Sequence, residues 1–378
     1  MRMENGCGMQ ELIAAIAAAA ERHDRDGSFP HANFAALNAA GLLSLTTPTR
    51  FGGQGQGLGP SADLVRAVGR ACPSTALVLS MQLLHQHSIG ANAQWPAHLV
   101  EQVARAAVER GAMVNSLRVE PELGSPVRGG MPATVARRTA TGWALSGRKI
   151  YATGVPGLTW GLVWARTDEA EPRLGSFLLP IATPGVRIVE TWDHLGLRAS
   201  GSHDVVMEDA AIPFDHGVDV RPPAAWRGRD GGQAAWNVTL ISAVYVGVAE
   251  AARDWLARFL HERKPSGLGA ALASLPRMQE AMGRIEARLL VNERLLGLLA
   301  ADVDAGRPMD LTQVDLFKTV IADNAIEAVQ EAVALCGNHA LARSNPLERH
   351  LRDVLCARIH TPQPDSAYVA AGRKRLGL

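Results

Sequence analysis

The spacing of apolar residues along this chain changes twice, and that change restricts its fold more than any single motif. From residue 1 to about 115, apolar side chains recur at helical intervals, as in Leu12, Ile13, Ile16 and Ala19 and again from Leu99 to Val108. Such spacing gathers them on one face of an α-helix. From about 116 to 225 the interval falls to two, in ATVARRT, GWALSGRKIYATG, WGLVWART and GSFLLPI, with Gly, Pro and Asp between the runs. That alternation describes short strands joined by turns. From about 233 helical spacing returns in three long stretches, LISAVYVGVAEAARDWLARFLHERK, LPRMQEAMGRIEARLLVNERLLGLLAADVDAG and TQVDLFKTVIADNAIEAVQEAVALCG. The chain is therefore predicted to be α+β: an N-terminal α-helical domain at 1–115, a central β-domain at 116–232 and a C-terminal four-helix bundle at 233–378.

Length and composition set the remaining bounds. At 378 residues the chain exceeds one ordinary core. Its 47% hydrophobic content is that of a globular protein, and no uninterrupted run of about 18 apolar residues is present to span a bilayer. Lys and Arg number 38 against 37 Asp and Glu, and the net charge of +1 gives no electrostatic footprint for nucleic acid. The apolar stretch from Leu12 to Ala20 continues into Glu21-Arg22, an amphipathic helix rather than a signal peptide, which points to the cytoplasm. Cys7, Cys72, Cys336 and Cys356 are far apart without metal-ligand spacing, so reduced structural thiols are expected.

Local signals refine this outline. A Gly-rich break, RFGGQGQGLGP, precedes the apolar helix STALVLSMQLLHQHSIGA, with Ser74 as its expected N-cap. His85 and His87 lie two residues apart on that helix, about 200° around it, so at most one faces any given cavity. The final segment, ERHLRDVLCARIHTPQPDSAYVAAGRKRLGL, reads as a helical region interrupted at Pro362 and Pro364 and then resumed, with Asp365 suited to capping the new helix.

Four segments, taken in order, resemble the acyl-CoA dehydrogenase superfamily: GLLSLTTPTRFGGQG, VEPELGS, LGLRASGSHDVVMEDAAIP and NPLERHLRD. The resemblance covers nearly the whole chain and implies that family's three-domain fold and a flavin cofactor, FAD with FMN as the alternative. A flavin ring is large, planar and mostly apolar, and needs backbone donors at its polar edge. By the resemblance, Leu117, Val119, Ser125, Tyr151 and Thr153 hold it: Val119 stands where Thr is usual, Tyr151 where a Trp packs on the ring, and Thr153 where a Thr bonds the flavin. Arg263 matches the arginine that reaches the cofactor diphosphate of a neighbouring subunit, a task suited to a guanidinium fork. Ser266 replaces the Phe that usually follows it, and Gly337 is the single glycine of a turn that commonly has two or three. Contacts of this kind between subunits imply a homo-oligomer, a dimer or tetramer.

The same resemblance bears on the reaction. In the family, the loop between the last bundle helices often carries the catalytic base, a Glu followed by Gly-Thr. A gap-free match from Arg352-Asp353 puts Pro364 at that Glu, Asp365 at the Gly, and Ser366 at the Thr that contacts cofactor phosphate. The family's second location for the base, Asn237 to Ser242, also holds no acid, and Val238 stands where an arginine is common. A positioned base is worth about 10² to 10⁴ in rate, and proline supplies neither carboxylate nor N–H. The function expected first, α,β-dehydrogenation of an acyl thioester, therefore requires Asp365 as a non-standard base, desolvated against the flavin and raised in pKa.

Flavin monooxygenases of this fold, such as the dibenzothiophene monooxygenases, give a second expectation. They lack the Glu, take reduced flavin from a separate reductase, and resemble this chain at Arg358-Ile359-His360-Thr361. His360, with an ordinary pKa near neutrality, then serves the oxygen chemistry. An oxidase using Asp365, or a non-enzymatic flavin-binding protein with a decayed site, completes the set. His85 or His87 is expected at the substrate, because their helix lines the substrate pocket in the family. The implied partners are a small organic substrate, an acyl thioester or another compound, and an electron-transfer flavoprotein or flavin reductase.

Overall fold

The structure, a computed structural model, describes residues 6–123, 130–226 and 229–378. Five helices come first: α1 (Gly6–Asp26), α2 (His31–Ala39), α3 (Leu58–Ala71), α4 (Pro73–Ala91) and α5 (Ala97–Arg110). On α4 the buried residues form a nearly continuous run from Pro73 to Leu84, as expected of a helix packed on all sides. It begins earlier than the sequence suggests. Cys72 is its N-cap, Pro73 fills the first helical position, and Ser74 is buried inside the first turn. Proline suits that position because its fixed φ is already helical and its missing N–H would have no partner there.

Eight strands form one sheet: β1 (Met113–Leu117), β2 (Val135–Arg138), β3 (Gly142–Ala152), β4 (Leu158–Thr167), β5 (Leu174–Pro180), β6 (Val186–Val189), β7 (His203–Pro213) and β8 (Gly217–Arg221). Their order is β6-β7-β3-β2-β4-β5-β8, with β1 running parallel to β4. The chain beyond β1 reaches the far end of β3, where the Ile150 N–H donates to the Val119 carbonyl at 3.0 Å. A buried ion pair fastens this junction. Lys149 Nζ donates to Glu120 Oε1 at 2.7 Å and to the Trp164 carbonyl at 2.5 Å. Glu120 also accepts the N–H groups of Ala133 and Thr134, at 2.6 and 3.0 Å. With Lys149 0% and Glu120 2% exposed, neither charge has water as a substitute partner.

The third region contains α6 (Gly231–Glu262), α7 (Pro276–Asp304), α8 (Leu311–Cys336), the short α9 (Asn338–Leu341), α10 (Pro346–Leu355) and α11 (Pro364–Leu376). Asp230 caps α6 by accepting the Gln233 N–H at 2.7 Å, and Asp310 caps α8 by accepting that of Thr312 at 3.1 Å. By length and composition α6 is apolar enough to cross a membrane, but 89% of its most apolar window is buried inside the fold. It is a core helix, enclosed by α3, α4, α7, α8 and α10. Two glycines let α3 cross it closely. A Cβ on Gly69 would stand 2.8 Å from the Val244 carbonyl oxygen, and one on Gly247 would stand 2.5 Å from that of Arg66. Only residues without a side chain fit there.

The interruption near the C-terminus is present. Helix α10 ends at Leu355, a 3₁₀ turn covers Cys356–Arg358, and α11 starts at Pro364. Its N-cap is Gln363 rather than Asp365, which lies in the first turn. Cys72, Cys336 and Cys356 are free thiols, while the side chain of Cys7 lies outside the described residues.

Candidate active site

Strand β1 lies against both α4 and β3, and α4 in turn packs on α6. This convergence collects Leu117, Val119, Tyr151, Thr153 and His85. Leu117 is buried and Val119 half-buried. Thr153 is held from both sides: its carbonyl accepts Asn115 Nδ2 at 2.9 Å, and its hydroxyl lies 3.0 Å from that of Ser202, which bonds Ser200 at 2.8 Å. Gly154 follows directly, and a Cβ there would be 2.8 Å from Val78 of α4. Helix α4 thus closes over the strand end that carries Thr153. Ser125 lies outside the described residues.

Tyr151 departs from ordinary backbone geometry. Its φ is +57°, a region a bulky side chain rarely occupies. Its ring is 53% exposed and stands edge-on to Trp192 and His194, at centroid distances of 6.2 and 5.8 Å. Trp192 and His194 are themselves stacked at 3.7 Å, and His194 Nδ1 is buried without a partner among the described residues. A strained, exposed tyrosine backed by an aromatic stack, beside hydroxyls and strand ends, suits a planar ring with a polar edge. The residues present therefore fit a flavin. Of the residues expected at the flavin, Leu117, Val119, Tyr151 and Thr153 lie near one another where β1 and β3 end.

The two histidines of α4 diverge as their spacing requires. His85 faces β1, where its Nε2 accepts the Ser116 N–H at 3.3 Å. Burial and the nearby Arg118 push its pKa down to about 4, against a hydrogen bond with Asn115, so it is neutral. His87 turns toward the bundle and stacks on Trp236 of α6 at 3.9 Å. Burial lowers its pKa, with Asp304 opposing. His85, not His87, faces the strands that fit the flavin.

The Pro-flanked loop differs from what the sequence suggests. Asp365 and Ser366 are exposed on the first turn of α11. The expectation of a desolvated Asp365 carboxylate is corrected accordingly: with proline at the first helical position, the helix begins early and carries the acid outward. His360 turns inward instead. Its Nε2 lies 2.6 Å from the hydroxyl of Tyr245 on α6. Burial, with a smaller contribution from Lys318, lowers the His360 pKa to about 4. Lys318, on α8 and 2% exposed, donates to the Ala357 carbonyl at 2.9 Å. Burial brings its pKa down to about 8, against Asp323 and Asp315.

Arg263 and Gly337 are both exposed, at the C-terminal ends of α6 and α8. Between those ends is a groove of about 280 Å³ lined by Trp255, Arg258, Phe259, Glu262, His339 and Asn345. Sequence reasoning did not find Tyr245, Lys318 or the Glu120–Lys149 pair. Signals for two of them were available. Lys318 falls on the apolar face of its helix with Val314, Ile321 and Ala325, and Lys149 falls in the alternate-residue series Trp143, Leu145, Gly147 of its strand.

Comparison with known proteins agrees with this geometry. Family models match in chain order: the acyl-CoA dehydrogenase N-terminal domain at residues 10–95, the middle domain at 118–210 and the C-terminal domain at 239–363. The chain belongs to the acyl-CoA dehydrogenase family. It is 32% identical to YdbM, a putative acyl-CoA dehydrogenase of Bacillus subtilis (strain 168), over 93% of this chain and 90% of the relative. It is 31% identical to the amino sugar nitrososynthase RubN8 of Streptomyces rubradiris, over 93% of this chain and 84% of the relative. Among solved structures it resembles KijD3 in complex with FMN and dTDP-3-amino-2,3,6-trideoxy-4-keto-3-methyl-D-glucose. That match has a TM-score of 0.81 and 30% identity, covering 98% of this chain and 92% of the other. The chain is a flavin-dependent oxidoreductase of this family.

Proposed function

We propose that this enzyme is a reduced-flavin-dependent monooxygenase acting on a small organic substrate. The observation that carries this reading is the geometry of the Pro-flanked loop. The acid expected as a dehydrogenase base is exposed on α11, whereas a neutral histidine is turned into the fold. When bound, a reduced flavin supplies two electrons, with which one atom of O₂ enters the substrate and the other leaves as water.

The chain's own residues orient and shield. Tyr151 gives the ring a face, and Thr153 with Ser202 gives it hydroxyl partners. His85 stays neutral and orders the end of β1, and α4 keeps water from the strand ends. A small amine is the first substrate class to test, since RubN8 is named for amino sugars. FMN is the favoured cofactor, because Ser266 and the single Gly337 weaken the match to a longer dinucleotide, and a flavin reductase is the electron source. The exposed Arg263, Gly337 and Ser366 are the positions for contacts with a neighbouring subunit in a dimer or tetramer.

Likeness to YdbM favours a second reading, thioester dehydrogenation. In that case Asp365 has to be covered by a neighbouring subunit before it acts as base. One pair of measurements separates the two. Oxygen-dependent oxidation of supplied reduced FMN, coupled to a product bearing one added oxygen, supports the monooxygenase. Anaerobic bleaching of the bound oxidised flavin by an acyl-CoA, without an oxygenated product, overturns it.

A further inference from the structure

The Tyr245 hydroxyl has a single hydrogen-bond partner among the described residues, His360 Nε2 at 2.6 Å. Tyr245 is 1% exposed, so no water replaces that partner. Burial, with Cys356 and Asp353 nearby, raises its pKa well above the ordinary value, and the phenol keeps its proton. The direction of the bond follows. If His360 donated from Nε2, the phenolic O–H would be buried unpaired, which is costly. If Tyr245 donates, one bond satisfies both groups, and the imidazole proton resides on Nδ1.

We propose that Tyr245 is a positioning residue that locks His360 in the Nδ1–H tautomer, so that the loop after α10 carries a neutral imidazole whose N–H lies on the ring edge away from the Tyr245 hydroxyl. The charged groups around the pair are consistent with a neutral ring. Lys318 approaches from α8 and opposes a second positive charge on His360. It also anchors the same loop by donating to the Ala357 carbonyl. Asp315 and Asp323 lie beside Lys318, and Asp353 and Cys356 lie beside Tyr245. Lys318 and Tyr245 thus hold the segment from two different helices, three residues apart along the loop. The use of this donor in oxygen chemistry rests on the monooxygenase reading, but the tautomer itself does not.

The test is nitrogen NMR on the flavin-free full chain labelled with ¹⁵N-histidine, using His360→Gln to assign the signal. At pH 7 the His360 signal is expected to show a protonated Nδ1 and an unprotonated Nε2. In Tyr245→Phe the Nε2–H form should appear, while the titration midpoint should stay at about 4, because burial and Lys318 are unchanged. A native His360 protonated at Nε2 overturns the proposal before any variant is made. An unchanged tautomer in Tyr245→Phe overturns it as well. If the enzyme proves to be a monooxygenase, Tyr245→Phe should also release several-fold more peroxide per product while the substrate KM stays within about twofold. A proportional loss of both product and peroxide would show a merely structural tyrosine. Failure to couple the oxidation of reduced FMN to an oxygenated product would sink the monooxygenase reading and leave the NMR result to decide the tautomer.

Discussion

Replacing Lys149 by methionine removes a charge that the fold encloses completely. Glu120 would keep the N–H groups of Ala133 and Thr134 but lose the one cation bonded to it among the described residues. Burial alone pushes the Glu120 pKa up, and Lys149, Thr134 and Ala133 more than offset that, so it is lowered in the intact protein. Removing one member of a buried ion pair costs about 3–5 kcal/mol. Methionine fills nearly the same volume as lysine, so little of that cost comes from a cavity. Adding Glu120→Gln removes the stranded charge, and the double variant should recover at least about 1–2 kcal/mol, since contacting residues couple on that scale. Urea unfolding of the flavin-free protein, followed by circular dichroism, measures both. Flavin affinity is a second readout, because the pair sits beside the Val119–Ile150 bond. A Lys149→Met variant within about 1 kcal/mol of the parent would refute the reasoning, and so would a double variant no more stable than the single.

Three other outcomes are expected. His350 is 4% exposed with Nδ1 unpaired among the described residues, and burial with Arg349 lowers its pKa to about 3. Its folded value lies below the unfolded one, so the unfolded chain takes the proton first and stability falls as pH drops from about 6.5 toward 3. At pH 5 the loss from this group is about 2 kcal/mol, and His350→Gln should flatten the unfolding free energy between pH 6.5 and 5; an unchanged slope counts against it. Asp365→Asn should change flavin reduction less than about twofold, far below the 10² expected for a lost base, whereas His360→Ala should raise peroxide release; rapid mixing reads both, and the reverse order restores the dehydrogenase reading. Arg263→Ala should weaken flavin binding without unfolding the chain, and light scattering should show a dimer or tetramer; a monomer that still binds flavin tightly removes the assignment.

The order of helices, strands and helices was readable because each region buries its own apolar pattern, and periods of 3.6 and 2 cannot be exchanged. The double-proline interruption was readable for an equally local reason. What escaped was set by contacts distant in sequence. The start of α4 was missed by two residues because Pro73 outweighs Ser74 as a helix initiator. Asp365 was misplaced because a gap-free match fixes position along the chain but not the direction of a side chain on a new helical turn. Tyr245 and His360 are 115 residues apart, and no local pattern in either segment pairs them.

The crossing of α3 and α6 at Gly69 and Gly247 has a mechanical consequence. Helices in contact through side chains can slide by changing rotamers, but two backbones in contact have none to change. The N-terminal helices and the bundle are therefore expected to move as one rigid body. Compliance must lie elsewhere, in the sheet or in the short segment after Cys356. Since Lys318 and Tyr245 hold that segment from two helices, with Arg358 paired to Asp323, a small energetic change at these contacts would displace it more readily than any bending between domains.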